Sequence, residues 1–456
     1  MTNVYLCFSK TQREHPPKSN NSFLIAMKHP LLVCLFLISS ATIAQTNLSR
    51  LKINQQRIQT RLLELSTFGE LPNGGIGRVA YSKADQEGRA YFMGLMKKAG
   101  LDVSIDFAGN IIGRRKGKNP NLKPIAFGSH IDSVPNGGNY DGPVGSISGL
   151  ELIETLNENN IVTEHPLELI IFANEEGGTV GSGALIGKIT PTALKSVSQS
   201  GLTIADGIRA IGGNPDSLSK VVRKKGDVAA FIELHIEQGG ILMTENQQIG
   251  VVEGIVGIEH WDATIEGAAN HAGTTPMNIR RDALLAAAKL IIALNEVITS
   301  HEGKQVGTIG KVAVEPGAYN VIPGKVVLGV EIRDLSYDKI WMLFREFESK
   351  AQEIAKASET TITFKQSSIG VTPALTAKPI QDKIINTAKA LGFSYRYMQS
   401  GAGHDSQEMA QIAPVGMIFI PSVGGISHSP KEFSKGVDIG NGANVLLQTL
   451  LALDRD

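Results

Sequence analysis

Cysteine is almost missing from this chain. Two occur in 456 residues, Cys7 and Cys34, both near the N-terminus. A disulfide framework is thereby excluded from the body of the chain, as is thiol chemistry. Any metal there must be held by His, Asp and Glu. An excess of charge of one sign is missing too: 44 Lys and Arg balance 44 Asp and Glu. That balance argues against a nucleic-acid or membrane-surface partner, which would favour a basic surplus. No internal repeat, low-complexity tract or run of like charge breaks the sequence. The length therefore reads as two or three ordinary domains.

Long apolar runs are scarce. The one near the N-terminus lies in "MKHPLLVCLFLISSATIAQ", beginning at Met27. Lys28 gives a positive start, Leu31 to Ile38 an apolar core, and Thr42-Ile43-Ala44 a small-residue cleavage pattern. The run is shorter than the ~20 residues a spanning helix needs, so it reads as a secretory signal peptide rather than an anchor. Translation is expected to start at Met27, with residues 1–26 an extension and 1–44 outside the mature protein. Lipidation of Cys34 is disfavoured by the bulky Val33 before it. A cysteine-free mature chain, exported to the periplasm or secreted, follows as an expectation.

Glycine is plentiful, with 49 residues, many in pairs such as Gly137-Gly138, Gly177-Gly178, Gly239-Gly240 and Gly424-Gly425. Such pairs suit tight loops at strand ends, where backbone approaches a ligand. Apolar strands alternate with helices over residues 45–254: "KPIAFGSHIDS", "LELIIFANEEGG" and "VAAFIELHIEQGG" each run from a buried strand into polar groups and glycines. That alternation predicts an α/β domain with a mixed, mostly parallel sheet and helices on both faces. The pattern changes across 255–366. "HWDATIEG" and "KVVLGVEIRD" alternate as strands, and "RRDALLAAAKLIIALNEVI" and "YDKIWMLFREFESKAQEIAKAS" are amphipathic helices. An inserted α+β domain with antiparallel strands is expected there, the α/β style returning over 367–456.

The chemistry gathers at the strand ends. His130 closes one strand, and Asp132, two residues on, shares its face and is placed to brace the ring or its metal. Asp141 follows across a glycine turn, with two oxygens able to bridge two metals. Glu175 and Glu176 close "IIFANEE"; neighbours point to opposite sides, so one suits ligation and the other base chemistry. His235 closes "FIELH", and His428 lies in "GGISHSP". Taken singly, each has a plain structural explanation, such as a hydrogen-bonded histidine or a solvated carboxylate. Taken together, His130, Asp141, Glu176, His235 and His428 are N and O donors from four strand ends. They suit a paired zinc, manganese or cobalt site.

Seven strings in order carry a resemblance: "GSHIDSVPNGGNYDG", "FANEEGGTVGSGAL", "ELHIEQGG", "NHAGTTPM", "NVIPG", "SGAGHDSQEMA" and "GGISHSPKE". The chain resembles the zinc-dependent amidohydrolases of the M20 metallopeptidase superfamily. Within them it is similar to the branch of N-carbamoyl-L-amino-acid hydrolase, beta-ureidopropionase and allantoate amidohydrolase. The resemblance runs from about residue 50 to the C-terminus. It implies a catalytic domain split by a lid that forms a homodimer, and two divalent metals, Zn2+ or alternatively Mn2+ or Co2+. His130 and His235 would hold one metal, Glu176 and His428 the other, with Asp141 between them and Asp132 behind His130. Glu175 would be the general base, and His271 of "NHAGTTP" would polarise the scissile carbonyl from a partner subunit. Gln238 and Asn320 would contact substrate, and Arg333 of "VEIRD" would clamp its carboxylate; by position alone Arg333 equally suits a surface ion pair. His404, with Asp405, is expected behind the metals or facing substrate. The implied activity is hydrolysis of the C–N bond of N-carbamoyl (ureido) amino acids or allantoate. An M20-type aminopeptidase or dipeptidase, and an inactive metal-loaded binding protein, are the alternatives. His235 and the "EQGG" string count against the first, and the presence of Glu175 and every ligand against the second.

Overall fold

The computed structural model describes residues 51–366 and 370–456. The expected leader, Cys7, Cys34 and the domain boundary at 367 lie outside the described residues. Residues 52–456 form one compact unit.

The strands, in chain order, are β1 Asp102–Ile105, β2 Ile111–Arg115, β3 Ile125–His130, β4 Leu167–Phe172, β5 Ala230–Ile236, β6 Ile249–Ile255, β7 Gly257–Glu266 and β8 Asn270–His271. They continue as β9 Val306–Glu315, β10 Val321–Ile322, β11 Lys325–Asp334, β12 Thr361–Gln366, β13 Ala374–Leu375, β14 Tyr395–Ser400 and β15 Val415–Ile420. The helices that matter here are α1 Lys83–Lys98, α2 Pro143–Glu158, α3 Val180–Leu185, α4 Ala283–Ser300, α5 Tyr337–Ser358, α6 Lys378–Ala390, α7 Asp405–Met409 and α8 Gly436–Leu453.

Nine strands build the main sheet in the order β1-β2-β4-β3-β5-β15-β6-β13, with β14 pairing β6. The sheet is mixed. Its centre, β4-β3-β5-β15, is parallel throughout, and helices cover both faces. Every residue of β3, β4, β5 and β15 is buried. A strand covered on both sides has no solvent face for polar residues, which explains the apolar run of "VGMIFI" and that of "LELIIF", broken only by Glu168, which Arg114 and Arg223 pair. Parallel strands also point their carboxyl ends the same way. His130, the Glu175-Glu176 pair, His235 and the loop to His428 all leave that one end of the sheet.

A second sheet, β12-β7-β11-β9, is antiparallel. Along β7 and β11 buried and partly exposed residues alternate, the mark of a sheet with one covered face. Helices α4 and α5 supply the cover. Trp261 of β7 stacks on Phe344 of α5 with centroids 4.0 Å apart, inside a core shared with Leu290, Leu294, Leu328 and Phe347. The ribbon β8–β10 joins His271 to Val321.

Gly128 shows how closely the central strands are fitted. Its φ is +146°, and a Cβ there would stand 1.9 Å from the Ile170 carbonyl oxygen of β4. Backbone cannot give way as a side chain can, so Gly128→Ala should cost on the order of 3 kcal/mol or more. A Cβ added at Gly94 of α1 would meet nothing within 4 Å beyond its own helix. Gly94→Ala should instead stabilise by about 0.5–1 kcal/mol through helix propensity. Urea midpoints of the two variants check both signs.

Candidate metal centre

The Asp141 carboxylate is the meeting point of the strand-end residues. His235 Nε2 lies 3.1 Å and His130 Nε2 3.6 Å from its Oδ1, and His428 Nε2 lies 3.3 Å from its Oδ2. Glu176 Oε2 is 3.4 Å from His428 Nε2, and Glu175 Oε2 is 3.6 Å from His130 Nε2. Two groups have ligand atoms all within 4.8 Å of one another: His130, Asp141 and His235, and then Asp141, Glu176 and His428. The six residues come from the ends of β3, β4, β5 and β15 and from the turn before α2.

The hydrogen bonds decide what these groups present. His130 Nδ1 is 3.0 Å from the Asp132 carbonyl, and His235 Nδ1 is 2.9 Å from the Ile236 carbonyl. A carbonyl oxygen only accepts, so both Nδ1 atoms carry the proton. The Gly142 N–H donates to His235 Nε2 at 3.3 Å, which makes that nitrogen an acceptor. An imidazole lone pair therefore faces a carboxylate oxygen at 3.1 Å. Among the described residues His130 Nε2 is buried with no hydrogen-bond partner. Protonating His235 Nε2 would answer Asp141 but set one N–H against the N–H of Gly142. A cation satisfies all of these atoms at once, and imidazole with carboxylate is the donor set of divalent zinc, manganese or cobalt. The residues fit a divalent metal.

The charges of the metal-free cluster call for added positive charge, which a proton or a metal can supply. Burial alone would lower the His130 imidazole, yet Glu175, Asp141 and Asp132 carry it well above its ordinary value. His428 is raised to about 9, first by its hydrogen bond to Asp141. Burial pushes Glu175 well above the usual carboxyl range, with Asp405, Glu176 and Asp141 adding to the effect of burial against His130. Burial and Asp141 carry Glu176 to about 7. So many carboxylates cannot all ionise here unless positive charge joins them.

A further set of residues holds the cluster in place. The Asp132 carboxylate stands 3.8 Å from His130 Nδ1 and accepts instead from the backbone N–H groups of Glu175 and Glu176, at 3.3 and 3.2 Å. The ring is braced by the Asp132 carbonyl, while the carboxylate fixes the Glu pair. Gln238 Nε2 donates to Asp141 Oδ2 at 2.6 Å, and Ser427 Oγ donates to the same oxygen at 3.0 Å. Glu432 was not singled out from sequence, although it closes "GGISHSPKE". Its carboxylate accepts from the N–H groups of Asp141 and His428 at 3.0 and 3.3 Å, tying both loops together. His404 packs edge-on to His235 with centroids 4.5 Å apart, and its Nε2 pairs with Ser400 Oγ at 2.8 Å. With Glu233 and His235 it makes a third candidate group. The Glu233 oxygens are taken by Ser129 and Ser406, so this group reads as support for the ring.

A cavity of about 310 Å³ opens over the cluster, lined by Asp141, Glu175, Glu176, Gln238 and His428 and walled by Ile258 and Val371. Thr179, Gln238 and His428 on its lining, and Asn174 beside it, take positive φ without being glycine. Such strain gathers where a site dictates the backbone. A larger cavity, about 540 Å³, lies where β3, β4 and β5 begin, bordered by Lys123, Glu168 and Asp227, away from the cluster. His271, Asn320 and Arg333 do not line the metal-side cavity. His271 and Asn320 are exposed and adjacent, joined by an Ala272 N–H donation to the Asn320 carbonyl at 2.9 Å. Arg333 donates to both Glu331 oxygens, at 2.7 and 3.0 Å, and to the Gly401 carbonyl at 2.6 Å.

Gly142 is the tightest point of the site. With φ +78° and ψ −55°, its added Cβ would sit 2.5 Å from the His130 ring. Gly142→Ala should displace that imidazole and sharply reduce bound metal. Its cost to the fold should stay within about 1–3 kcal/mol. Metal analysis after dialysis, beside a thermal melt, measures both.

Comparison with known proteins agrees with this geometry. Residues 126–452 match the model of peptidase family M20/M25/M40. An N-carbamoyl-L-amino acid amidohydrolase of Geobacillus stearothermophilus is 39% identical over 406 residues, covering 88% of this chain and 99% of that protein. A ureidoglycolate hydrolase of Arabidopsis thaliana is 38% identical over 420 residues, covering 90% and 88%. The crystal structure of a hydantoinase/carbamoylase-family amidase from Burkholderia multivorans superimposes with a TM-score of 0.83 at 34% identity, covering 89% and 99%. The chain belongs to peptidase family M20/M25/M40, within the branch that holds these amidohydrolases.

Proposed function

We propose that this protein hydrolyses the C–N bond of a ureido acid, an N-carbamoyl amino acid or an allantoate-like compound. His130 and His235 would hold one divalent metal and Glu176 and His428 a second, with Asp141 within reach of both groups. Zinc is the first choice of metal for this donor set, with manganese and cobalt as alternatives. The observation that carries the reading is the Asp141 carboxylate, with three imidazole Nε2 atoms at 3.1–3.6 Å. The names of the related enzymes point to the same class of bond.

When bound, such metals supply Lewis acidity, lowering the pKa of water from ~16 toward ~7 and accepting charge from a carbonyl oxygen. The chain's own groups do the rest. Glu175 stands 3.6 Å from His130 and bonds neither metal group, so it takes the proton of water and passes it to the leaving nitrogen. General acid–base help of that kind is typically worth ~10²–10⁴ in rate. Gln238 steadies Asp141 through its amide nitrogen and presents a buried, unpartnered Oε1. That oxygen suits the –NH2 of a ureido group. His271 accepts the Gly273 and Thr274 N–H groups on Nδ1, at 3.0 and 3.1 Å, leaving its proton on Nε2 as a donor to an oxyanion.

His271 and Asn320 are exposed on a ribbon of the antiparallel layer, so we take that layer, residues 255–366, as the inserted lid. We also take the working protein to be a homodimer in which the ribbon serves a partner's cavity. Two features favour a second copy. Among the described residues strand β9 leaves one edge unpaired, and α4 exposes Leu284, Leu285, Ile291 and Ile292 on its outer side. Export through the leader at 27–44 completes the proposal; N-terminal sequencing of the secreted protein should begin at Gln45.

Turnover of N-carbamoyl-L-amino acids, ureidoglycolate and allantoate should exceed that of dipeptides. Clean dipeptide turnover alone would transfer the protein to the peptidases, and metal binding without turnover of any substrate would make it a binding protein. Glu175→Gln should lower kcat by about 10³-fold or more while metal content is kept. Retained activity would remove Glu175 as the base. Co-expressing Glu175→Gln with His271→Ala should restore about a quarter of wild-type activity, since half the dimers are mixed and each has one intact site. No recovery would place His271 in its own subunit's site.

A further inference from the structure

A buried cation lies beside the His130 turn, ahead of the residues 126–452 that match the family model. Arg78 follows the helix Gln55–Ser66 and is 0% exposed. Its hydrogen bonds all go to backbone carbonyls. Nη1 donates to Leu65 and Phe68, both at 2.9 Å, and Nε donates to Ile131 at 2.6 Å. Among the described residues Nη2 is buried without a partner. Burying a cation that no carboxylate bonds is costly, so packing alone does not account for it. Burial pulls the guanidinium down to about 10, and the charges that act against this are those of Asp85 and Asp132.

Two of the contacts have a plain purpose. Leu65 and Phe68 stand at the C-terminal end of the helix, where carbonyls favour a cation. The third contact serves a different part of the chain. Ile131 lies between His130 and Asp132, and the Arg78 carbonyl accepts from the Ser133 N–H at 3.0 Å. Arg78 thus holds the chain on both sides of Asp132, by its side chain at 131 and by its backbone at 133. The neighbouring residues fasten the same two segments. Ile76 and Gly137 exchange both backbone hydrogen bonds at 2.9 Å, and Ser133 Oγ donates to the Ile76 carbonyl at 3.2 Å.

Asp132 is the residue on which three site groups lean. Its carbonyl accepts from His130 Nδ1 at 3.0 Å, and its carboxylate accepts from the N–H groups of Glu175 and Glu176 at 3.3 and 3.2 Å. A shift of the turn that carries Asp132 would therefore move an imidazole and two glutamates together.

We propose that Arg78 is a positioning residue of the metal centre. It fixes the Ile131–Ser133 turn, and through Asp132 it aims the His130 imidazole and the Glu175-Glu176 pair. The inference rests on the reading of the cluster as the metal centre of a hydrolase. It assigns part of that centre's geometry to a segment that supplies none of its ligands.

Arg78→Lys separates the two purposes. Lysine places a methylene where Nε stands and its ammonium where the guanidinium carbon stands. The charge and the reach toward Leu65 and Phe68 are kept, and the Ile131 contact is lost. Ile58→Val, a core change in the same helix, is the stability control. Zinc affinity is measured by competition with a chelator on the loaded proteins, and the visible spectrum is recorded after exchange into Co2+. Arg78→Lys should weaken zinc binding about 10-fold or more and alter the cobalt band, while Ile58→Val changes neither. At saturating metal its kcat for N-carbamoyl-L-leucine should fall about 10- to 100-fold, with KM within about twofold of wild type. Should Arg78→Lys fail to fold, Arg78→Met, which buries no charge, is read in the same way. Zinc affinity and a cobalt band unchanged in the folded variant overturn the proposal, as does an equal loss of affinity in Ile58→Val. Failure of the reaction reading has a separate sign. If the wild type binds zinc but hydrolyses no ureido compound, that reaction falls, and the zinc affinities still decide the role of Arg78.

Discussion

Lone pairs that face one another are the constraint around which this molecule is arranged. The carbonyls of Asp132 and Ile236 hold the Nδ1 protons of His130 and His235, and this turns both Nε2 atoms toward the Asp141 carboxylate. Acceptors brought within 3.1–3.6 Å repel unless something positive lies among them. A divalent cation bound among them would relieve that repulsion, as a proton on an imidazole would in its absence. A metal bound there would stabilise the folded loops as much as the loops bind the metal.

Holding those atoms in place takes more structure than the ligands themselves. Parallel strands bring His130 and His235 to the same end of the sheet, but the carboxylates arrive on turns, which are softer. Each turn is tied down separately. Asp132 caps the amides of Glu175 and Glu176, Glu432 caps those of Asp141 and His428, and Gln238 and Ser427 grip one oxygen of Asp141. Gly142 supplies clearance, since its missing side chain leaves room for the His130 ring. Outer partners of this kind commonly govern metal affinity by 10–100-fold.

The sequence exposed the parts of this site that obey simple periodicity. "LELIIF" and "VGMIFI" are buried from end to end, so their strands and the polar groups at their carboxyl ends could be read without coordinates. Alternation in "KVVLGVEIRD" likewise marks a strand with one covered face. What could not be read depends on contacts across long stretches of chain. Glu432 reaches Asp141 over 291 positions, and Lys188 meets Glu408 over 220. Neither has a local pattern that sets it apart from an ordinary surface charge. The Asp132 case is subtler. Sharing a face with His130 placed its carboxylate near the ring, yet the backbone turns so that its carbonyl is the closer partner.

The division of labour between the two sheets has a consequence for selectivity. Every group that faces Asp141 leaves the nine-stranded sheet or its loops, whereas His271, Asn320 and Arg333 belong to the antiparallel layer or its ribbon. Metal binding therefore needs only one layer, and the cluster can be complete before any substrate is present. Contacts from the other layer add to binding only for a molecule long enough to touch both. A bare urea fills the first set of contacts and none of the second. On the proposed reading a ureido acid would span both, with its carbonyl over the Asp141 cluster and its carboxylate toward the antiparallel layer. Binding energy from that distant acid group can then be used to align the carbonyl over Glu175, which is how a remote contact raises the rate of the chemical step.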